Sequence, residues 1–445
     1  MLTSLDIIKK ISFLYLLFCL IFFIIKYDDF PAWYDSLLQI FFVIFNYLLA
    51  RYIFTQKSNF HLYIGIFIFH LICAILSQCV NYFVYDDFYG YNPIDAQLYR
   101  SIAFDYNSVS MFDMLKGLVW RGYLFDDFGY PIVTWFIGSI SKEYFTSLLV
   151  MVNSIVVTIG SYYLYKLSSL FVGSYYTKLI VFLWGTMPFA IYVTANGLKE
   201  NVFLMFVIIA LWRLYMCTIK YSLFNLILFI LFCISIFMFR LVLGYAILAA
   251  YFTYIIFNNK LIKKYYKIVL TISVVFLLLI SKTVSSTIIE QRGHDIESMS
   301  ESAANKITEA GGNTAVLTNY LSALFGPFPN FVSESYEKRT YITRYSFSAF
   351  VKSFISFFLI VSFGFIIKKR KTDLFPILAF GCINIIMLIF TFRTLDVRFQ
   401  WPHFPVVLIL SAYAYENIEK KSRIRLLNSF YIFFICILIF VYNMR

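Results

Sequence analysis

The segment "DDFYGYNPIDAQLYRSIAFDY", residues 86–106, sets Asp86, Asp87, Asp95 and Asp105 in a chain that is 61% hydrophobic and only 14% charged. Taken singly, Asp86, Asp87, Asp105, Asp126 and Asp127 read as loop acids that solvate a surface. Asp95 is different. It follows "NP", a helix-start signal, and precedes Tyr99 by four residues in a short amphipathic helix whose Leu98 and Ile102 are expected to face the protein. It reads equally as a helix cap and as a reacting group. Cations stand elsewhere at similar boundaries: Lys199 beside Glu200 in "ANGLKENVF", Arg240 between two apolar runs in "FMFRLVLGY", and Arg393 and Arg398 flanking Asp396 in "TFRTLDVRFQWPH". An arginine near bilayer depth is costly unless it is paired or faces a wet cavity, so each is a functional hypothesis. Carboxylates and fixed cations converging on one face suit a transfer reaction whose leaving group is a phosphate. Arginine or lysine holds the growing charge, and a carboxylate takes the proton of the acceptor hydroxyl, worth about 10²–10⁴ in rate. On this reading Asp95 is the base, Lys199, Arg240, Arg393 and Arg398 bind the phosphate, and Glu200 orients Lys199. Tyr99 and Trp401 line the sugar position, with His403, Asp126 and Asp127 in support.

The elements that must position these groups are membrane helices. A chain of 445 residues with 53 Phe, 36 Tyr and mean hydropathy +0.78 carries more apolar surface than a soluble core hides. Apolar runs of about twenty residues, enough to cross ~30 Å of hydrocarbon, recur along it, without the ten-residue alternation of a barrel. The expected fold is an all-α, polytopic transmembrane bundle of about 11–13 spans with two large outer loops carrying short amphipathic helices. The expected spans are 8–25, 35–51, 61–85, 144–165, 177–195, 200–217, 222–239, 241–258, 267–283, 346–367, 374–392, 402–416 and 427–443. The first lies behind Lys9 and Lys10 and lacks a small-residue cleavage site, so it is expected to stay as a span.

This divides the chain into N-terminal helices (1–85), an acidic outer loop (86–143), central helices (144–283), a second outer loop (284–345) and C-terminal helices (346–445). Within the first loop, Met111, Leu115, Leu118 and Val119 share one helical face, as expected of a helix lying along the membrane surface. The second loop opens polar, "QRGHDIESMSESAANKITEAGGN", and then turns apolar in "VLTNYLSALFGPFPNF", which is expected to dock. The net charge of +13 is concentrated in alternate connections, such as "NNKLIKKYYK", "KKRK" and "EKKSRIR", which records orientation rather than nucleic-acid binding. The N-terminus is then cytoplasmic and the carboxylates and arginines lie on the opposite face.

Several chemistries have no signature here: no Walker-type glycine loop, no HExxH, and four scattered histidines, His61, His70, His294 and His403. The seven cysteines, Cys19, Cys73, Cys79, Cys217, Cys233, Cys382 and Cys436, read as small apolar packers. "DAQLYRSIA", "YPIVTWFIGSI", "GTMPFAIYVTANGLKENVFLMFVIIALW" and "RFQWPHFPVVLILSAYAY" together resemble the order of features in the GT-C superfamily of membrane glycosyltransferases, across residues 80–416. That resemblance implies transfer of a sugar from an undecaprenyl-phosphate-linked donor to a glycan acceptor, at the outer, periplasmic face of a bacterial inner membrane. It also implies a loop acid, at Asp95, that serves as base or metal ligand. The family's frequent acid pair reads here as Asp-Ala, so no cofactor is fixed and a divalent cation, magnesium or manganese, is admitted only through Asp126 and Asp127. Three spans precede the acidic loop where one is usual. The chain is also similar in character to O-antigen and capsule repeat-unit polymerases, which use undecaprenyl pyrophosphate, and a lipid-linked oligosaccharide flippase is the rival of another class. Expected partners are the lipid donor, the glycan, the bilayer and other polysaccharide-assembly membrane proteins, with no nucleic acid.

Overall fold

Long apolar runs with few charges leave the backbone no partner but itself, and in the computed structural model they are helices, with no strand among the described residues. The structure describes residues 4–26, 33–89, 94–219, 222–257, 313–332, 344–369, 371–390, 397–417 and 421–444. In chain order the helices are α1 (Ser4–Ile25), α2 (Trp33–Thr55), α3 (Phe60–Tyr85), α4 (Ile94–Asp105), α5 (Met111–Trp120), α6 (Gly129–Ile140), α7 (Phe145–Ser168), α8 (Ser174–Gly185) and α9 (Pro188–Ala195). There follow α10 (Glu200–Ile219), α11 (Leu223–Phe239), α12 (Leu241–Phe257), α13 (Asn313–Phe325), α14 (Ser346–Lys369), α15 (Phe375–Phe390), α16 (Val397–Gln400), α17 (Phe404–Asn417) and α18 (Lys421–Asn443). Among the described residues, eight helices are long and apolar enough to cross a membrane, and α8 with α9 makes a ninth if that bent pair is one span.

The count differs from the expected 11–13 for physical reasons. The expected spans 222–239 and 241–258 are helices of 17 residues each, divided at Arg240, whose backbone is extended at φ −161°, ψ 113°. The last expected span but one is a 14-residue helix, α17, and 267–283 lies outside the described residues. The expected span 177–195 is bent by 40° between α8 and α9, where Pro188 opens the second piece. Broken backbone inside a bundle survives only if its polar groups are paired. Here they are: Asn46 donates to the Thr186 carbonyl (3.1 Å) and hydroxyl (2.8 Å), and His70 Nε2 lies 2.7 Å from the Gly185 carbonyl. The Phe189 amide donates to Ser348 Oγ (3.0 Å), and Gln78 donates to the Ala195 carbonyl (2.8 Å).

Helix α10 packs between α7 and α11, α12 packs on α15, and α14 on α17. Contacts sort the connections into two ends. At one end Lys178 reaches the carbonyl of Gln56 (3.3 Å), Glu416 accepts from the Gly173 amide (3.0 Å), and Tyr215 donates to the Asp373 carbonyl (2.6 Å). At the other end lie the starts of α2, α10 and α14, the end of α3, and α4. Lys166, Lys178, Lys368 and Lys369 sit at the first end, as the alternation of basic connections predicts.

The loop 86–143 is mostly helical. Its α5 buries Met114 and Leu118 against Ile102, while Met111 and Val119 are exposed. Helix α5 docks on α4 of its own loop through Met114 and Leu118, which leaves Met111 and Val119 uncovered. In α4, Ile102 is buried as expected but Leu98 is 38% exposed. The polar beginning of the second loop lies outside the described residues, whereas its apolar end forms α13 and an ordered turn at 326–332.

Candidate functional site

Four elements bring charge to the second end. Helix α4 carries Asp95 in its first turn. It is held against α6 by a close approach: a Cβ at Gly138 would stand 2.9 Å from the Ala103 carbonyl oxygen, so only glycine fits. Glu200 and Lys199 are delivered by a turn at Gly197, whose φ of +60° is left-handed and whose carbonyl accepts from Tyr130 Oη at 2.8 Å. Tyr130 in turn meets Tyr99 of α4 edge-on, ring centroids 4.7 Å apart. One chain of contacts thus fixes Asp95 and Glu200 relative to each other. Arg240 comes from the break between α11 and α12, and Arg398 from the short helix α16.

Arg398 is the hub. Its Nη2 lies 2.6 Å from Asp95 Oδ2, and its Nε donates to Glu200 Oε1. Arg240 Nη2 approaches the same Glu200 oxygen at 3.8 Å, with its guanidinium over the Phe399 ring, 5.1 Å from the centroid. Lys199 Nζ donates to Asp127 Oδ1 at 3.3 Å. Glu200 is fully buried and its Oε2 has no hydrogen-bond partner among the described residues, whereas the Asp95 side chain is 40% exposed and that of Arg398 25%. Burial acts to lower the pKa of the Arg398 guanidinium, but the Glu200 and Asp95 carboxylates outweigh it and hold it above its ordinary value. Tyr99 is pushed well above the usual phenol range by burial and then by Glu200 and Asp95, so it is a hydroxyl donor and not a base.

The predicted residues separate into groups. Asp95, Glu200, Arg240 and Arg398 share one ionic network, with Tyr99 beneath it. Glu200 holds the two arginines, and Lys199 bonds Asp127 instead of the Glu200 expected to orient it. Trp401 is 2% exposed, packed between Phe189 and Phe404 at 5.2 Å and 5.1 Å, so it lines no open surface. His403 is buried as well. Arg393 and the Asp126 side chain lie outside what is described. Among the described residues no group of three or more His, Cys, Asp or Glu could hold a metal ion.

Counted by charge among the described residues, the network and the adjoining Lys199–Asp127 pair together hold three cations, Lys199, Arg240 and Arg398, and three carboxylates, Asp95, Asp127 and Glu200. The set is neutral within itself. Arg398 is committed to two carboxylates, while Arg240, among the described residues, lies 3.8 Å from the one oxygen it pairs with and its Nε has no partner, so it has donors to spare.

Two polar features at the same end have no part in the sequence reading. Arg344 bonds Asp35 Oδ1 through Nε and Asn81 Oδ1 through Nη1, tying α14 to α2 and α3. Asp35 in the first turn of a span, and Arg344 just before another, were the signals. Lys352, inside an apolar run, was a third. No family model matches the chain, and neither a curated protein nor a solved structure matches it.

Proposed function

We propose that this protein is an integral membrane glycosyltransferase that moves a sugar from a polyprenyl-phosphate-linked donor to a hydroxyl of a glycan acceptor, in bacterial surface-polysaccharide assembly. The observation that supports this reading is the Asp95–Arg398–Glu200–Arg240 network, a carboxylate at a wet rim backed by arginines that a fully buried glutamate holds in place. Asp95 meets Arg398 through Oδ2, and its second oxygen is the group positioned to accept the proton of an incoming hydroxyl. Arg240, the least committed cation, turns to the departing phosphate and carries the charge that develops as the glycosidic bond breaks. Arg398 positions the base by holding Asp95 and Glu200 at once. The reaction face is the outer, periplasmic one, the end opposite the basic connections. Lipid donor, glycan and bilayer are the partners.

The test is transfer in proteoliposomes from a radiolabelled polyprenyl-phosphate-linked sugar, with Asp95→Asn beside wild type. Loss of turnover by about 10²–10⁴ with unchanged membrane insertion is expected, the range for a general base. Full activity of Asp95→Asn reduces the aspartate to a helix-start residue and ends the proposal.

A further inference from the structure

An apolar cleft of about 970 Å³, counting its open mouth, lies between α1, α8, α14, α17 and α18 at the end that carries the basic connections. Leu179, Phe354, Leu408 and Ile432 are among its walls. It runs from Tyr176 to Leu183 on α8 and from Leu408 to Tyr415 on α17, about 10 Å along each at ~1.5 Å per residue. Half of a ~30 Å hydrocarbon layer is about 15 Å, so the cleft is at most one leaflet deep.

The walls offer little to water. The Ser411 hydroxyl is spent on the Ile355 carbonyl at 3.1 Å, and a cavity lined in this way stays dry and takes apolar matter. Helices α1 and α18 both border the cleft here and touch at the opposite end, where Phe22 meets Phe440 with ring centroids 5.7 Å apart. Both present apolar side chains outward, Phe13 from α1 and Phe430 from α18, so lipid chains are at hand. A chain that enters from the bilayer gains no hydrophobic free energy, since lipid tails are as apolar as leucine. What it gains is contact with walls that would otherwise face a void. Choice among lipids must then come from the headgroup.

Lys10 is the one charged residue in the described lining, it is exposed, and among the described residues no carboxylate pairs with it. Glu416, beside the lining Tyr415, is committed to the Gly173 amide at 3.0 Å. The connection leading into α18 reads "EKKSRIR", which adds to the positive charge at this end. An ammonium at the rim of an apolar slot between membrane helices matches a lipid with a negative headgroup.

We infer that this cleft holds one acyl chain of an anionic phospholipid from the leaflet at the basic end, with the lipid phosphate on Lys10. The step is binding only, with no bond made or broken, and it does not rest on the sugar-transfer reading. A polyprenyl carrier fits less well, because an undecaprenyl tail is several times longer than the cleft.

The experiment uses the full chain in nanodiscs and a phosphatidylglycerol that carries a photoreactive group on one acyl chain, with phosphatidylcholine of the same chains as the neutral probe. Cross-links located by peptide mass spectrometry should fall on 176–183 of α8 and 408–415 of α17, and phosphatidylglycerol should label them about 5-fold more than phosphatidylcholine, the worth of one lysine at an anionic headgroup. Lys10→Gln should bring the two probes level. Lys9→Gln, which removes an exposed charge outside the lining, should leave the preference as in wild type. Ala412→Phe, which fills the cleft, should remove the α8 and α17 cross-links of both probes, and if that variant fails to fold the two lysine variants decide alone. Equal labelling by both probes in wild type overturns the inference, as does equal loss of preference in Lys9→Gln and Lys10→Gln, which would reduce the effect to general surface charge. Labelling confined to the outward faces of α1 and α18 also overturns it. So does displacement of the phosphatidylglycerol by an equal amount of undecaprenyl phosphate, which would make the cleft a carrier site.

Discussion

Two aspartate–arginine pairs stand at the same end of this molecule and differ in what surrounds them. Asp35 and Arg344 are 0% and 6% exposed, and Arg344 is also bonded to Asn81, so three helices meet on one guanidinium. Asp95 and Arg398 are 40% and 25% exposed, and the aspartate comes from a short helix outside the candidate spans. The same two residue types therefore do opposite work. A sealed pair fastens helices, because opening it strands a charge away from water; a pair at a wet rim can exchange partners at small cost, which a base needs. Burial, and not residue identity, separates the sealed pair from the open one, and it is the open pair to which the proposed reading gives the chemistry.

The largest effect should come from breaking the sealed pair. Arg344→Ala leaves the Asp35 carboxylate buried without its cation, and loss of a partner from such a pair costs about 3–5 kcal/mol. The unfolding midpoint of the purified chain should drop accordingly. The double change Asp35→Leu with Arg344→Met should recover much of that loss, since apolar residues of similar volume replace buried ion pairs well. If Arg344→Ala unfolds like wild type while Asp95→Asn is strongly destabilised, the assignment of the two pairs is inverted.

What the sequence shows here and what it hides follow the same division. Helix identity was legible, because twenty-residue apolar runs admit little else, and alternating basic connections placed the charged residues at one end. Asp95, Glu200, Arg240 and Arg398, up to 303 positions apart in the chain, were chosen for their boundary positions, and the structure brings them into one network. Pairing was not legible. Glu200 adjoins Lys199 in sequence, yet a helix start points successive side chains in different directions, and Glu200 turns to the arginines while Lys199 turns to Asp127. The bend at 186–187 was hidden because its carbonyls are satisfied by Asn46 and His70 from other helices, although Pro188 marked the place. Trp401 looked like a sugar platform because aromatic rings next to charges often are; its burial against Phe189 and Phe404 depends on helix packing that no local pattern encodes.

A mid-sized effect sharpens the comparison within the open network. Arg240 contributes little to folding, being 28% exposed and 3.8 Å from a Glu200 that Arg398 also holds, so Arg240→Ala should change stability by less than about 1 kcal/mol. On the proposed reading, its loss from the donor phosphate removes charge-assisted hydrogen bonds of about 1.5–3 kcal/mol, or roughly 10-fold to 100-fold in kcat/KM for the lipid-linked sugar. Steady-state kinetics on the reconstituted variant decide the matter. A large fall in midpoint with unchanged kinetics would make Arg240 a strut like Arg344.

The smallest effect concerns Lys199, which lies between the two extremes, its side chain 10% exposed and its partner Asp127 39% exposed. Burial lowers its pKa first, and Arg240 lowers it further, against the pull of Asp127 and Glu200. A lysine that binds its proton less tightly when folded gives the unfolded chain more bound protons between the two pKa values. Stability contributed by this residue therefore rises with pH through the window just below the unfolded lysine value of ~10.4, and the penalty is full on the acid side of the folded pKa. One proton limits the slope to about 1.4 kcal/mol per pH unit. Lys199→Met should flatten the alkaline rise in unfolding midpoint, and Asp127→Asn should move it to lower pH by removing a carboxylate that supports the charged form. An unchanged pH profile in both variants would mean that Lys199 is as well solvated as the rim acids, which would extend the wet surface of the Asp95 network inward to the Gly197 turn.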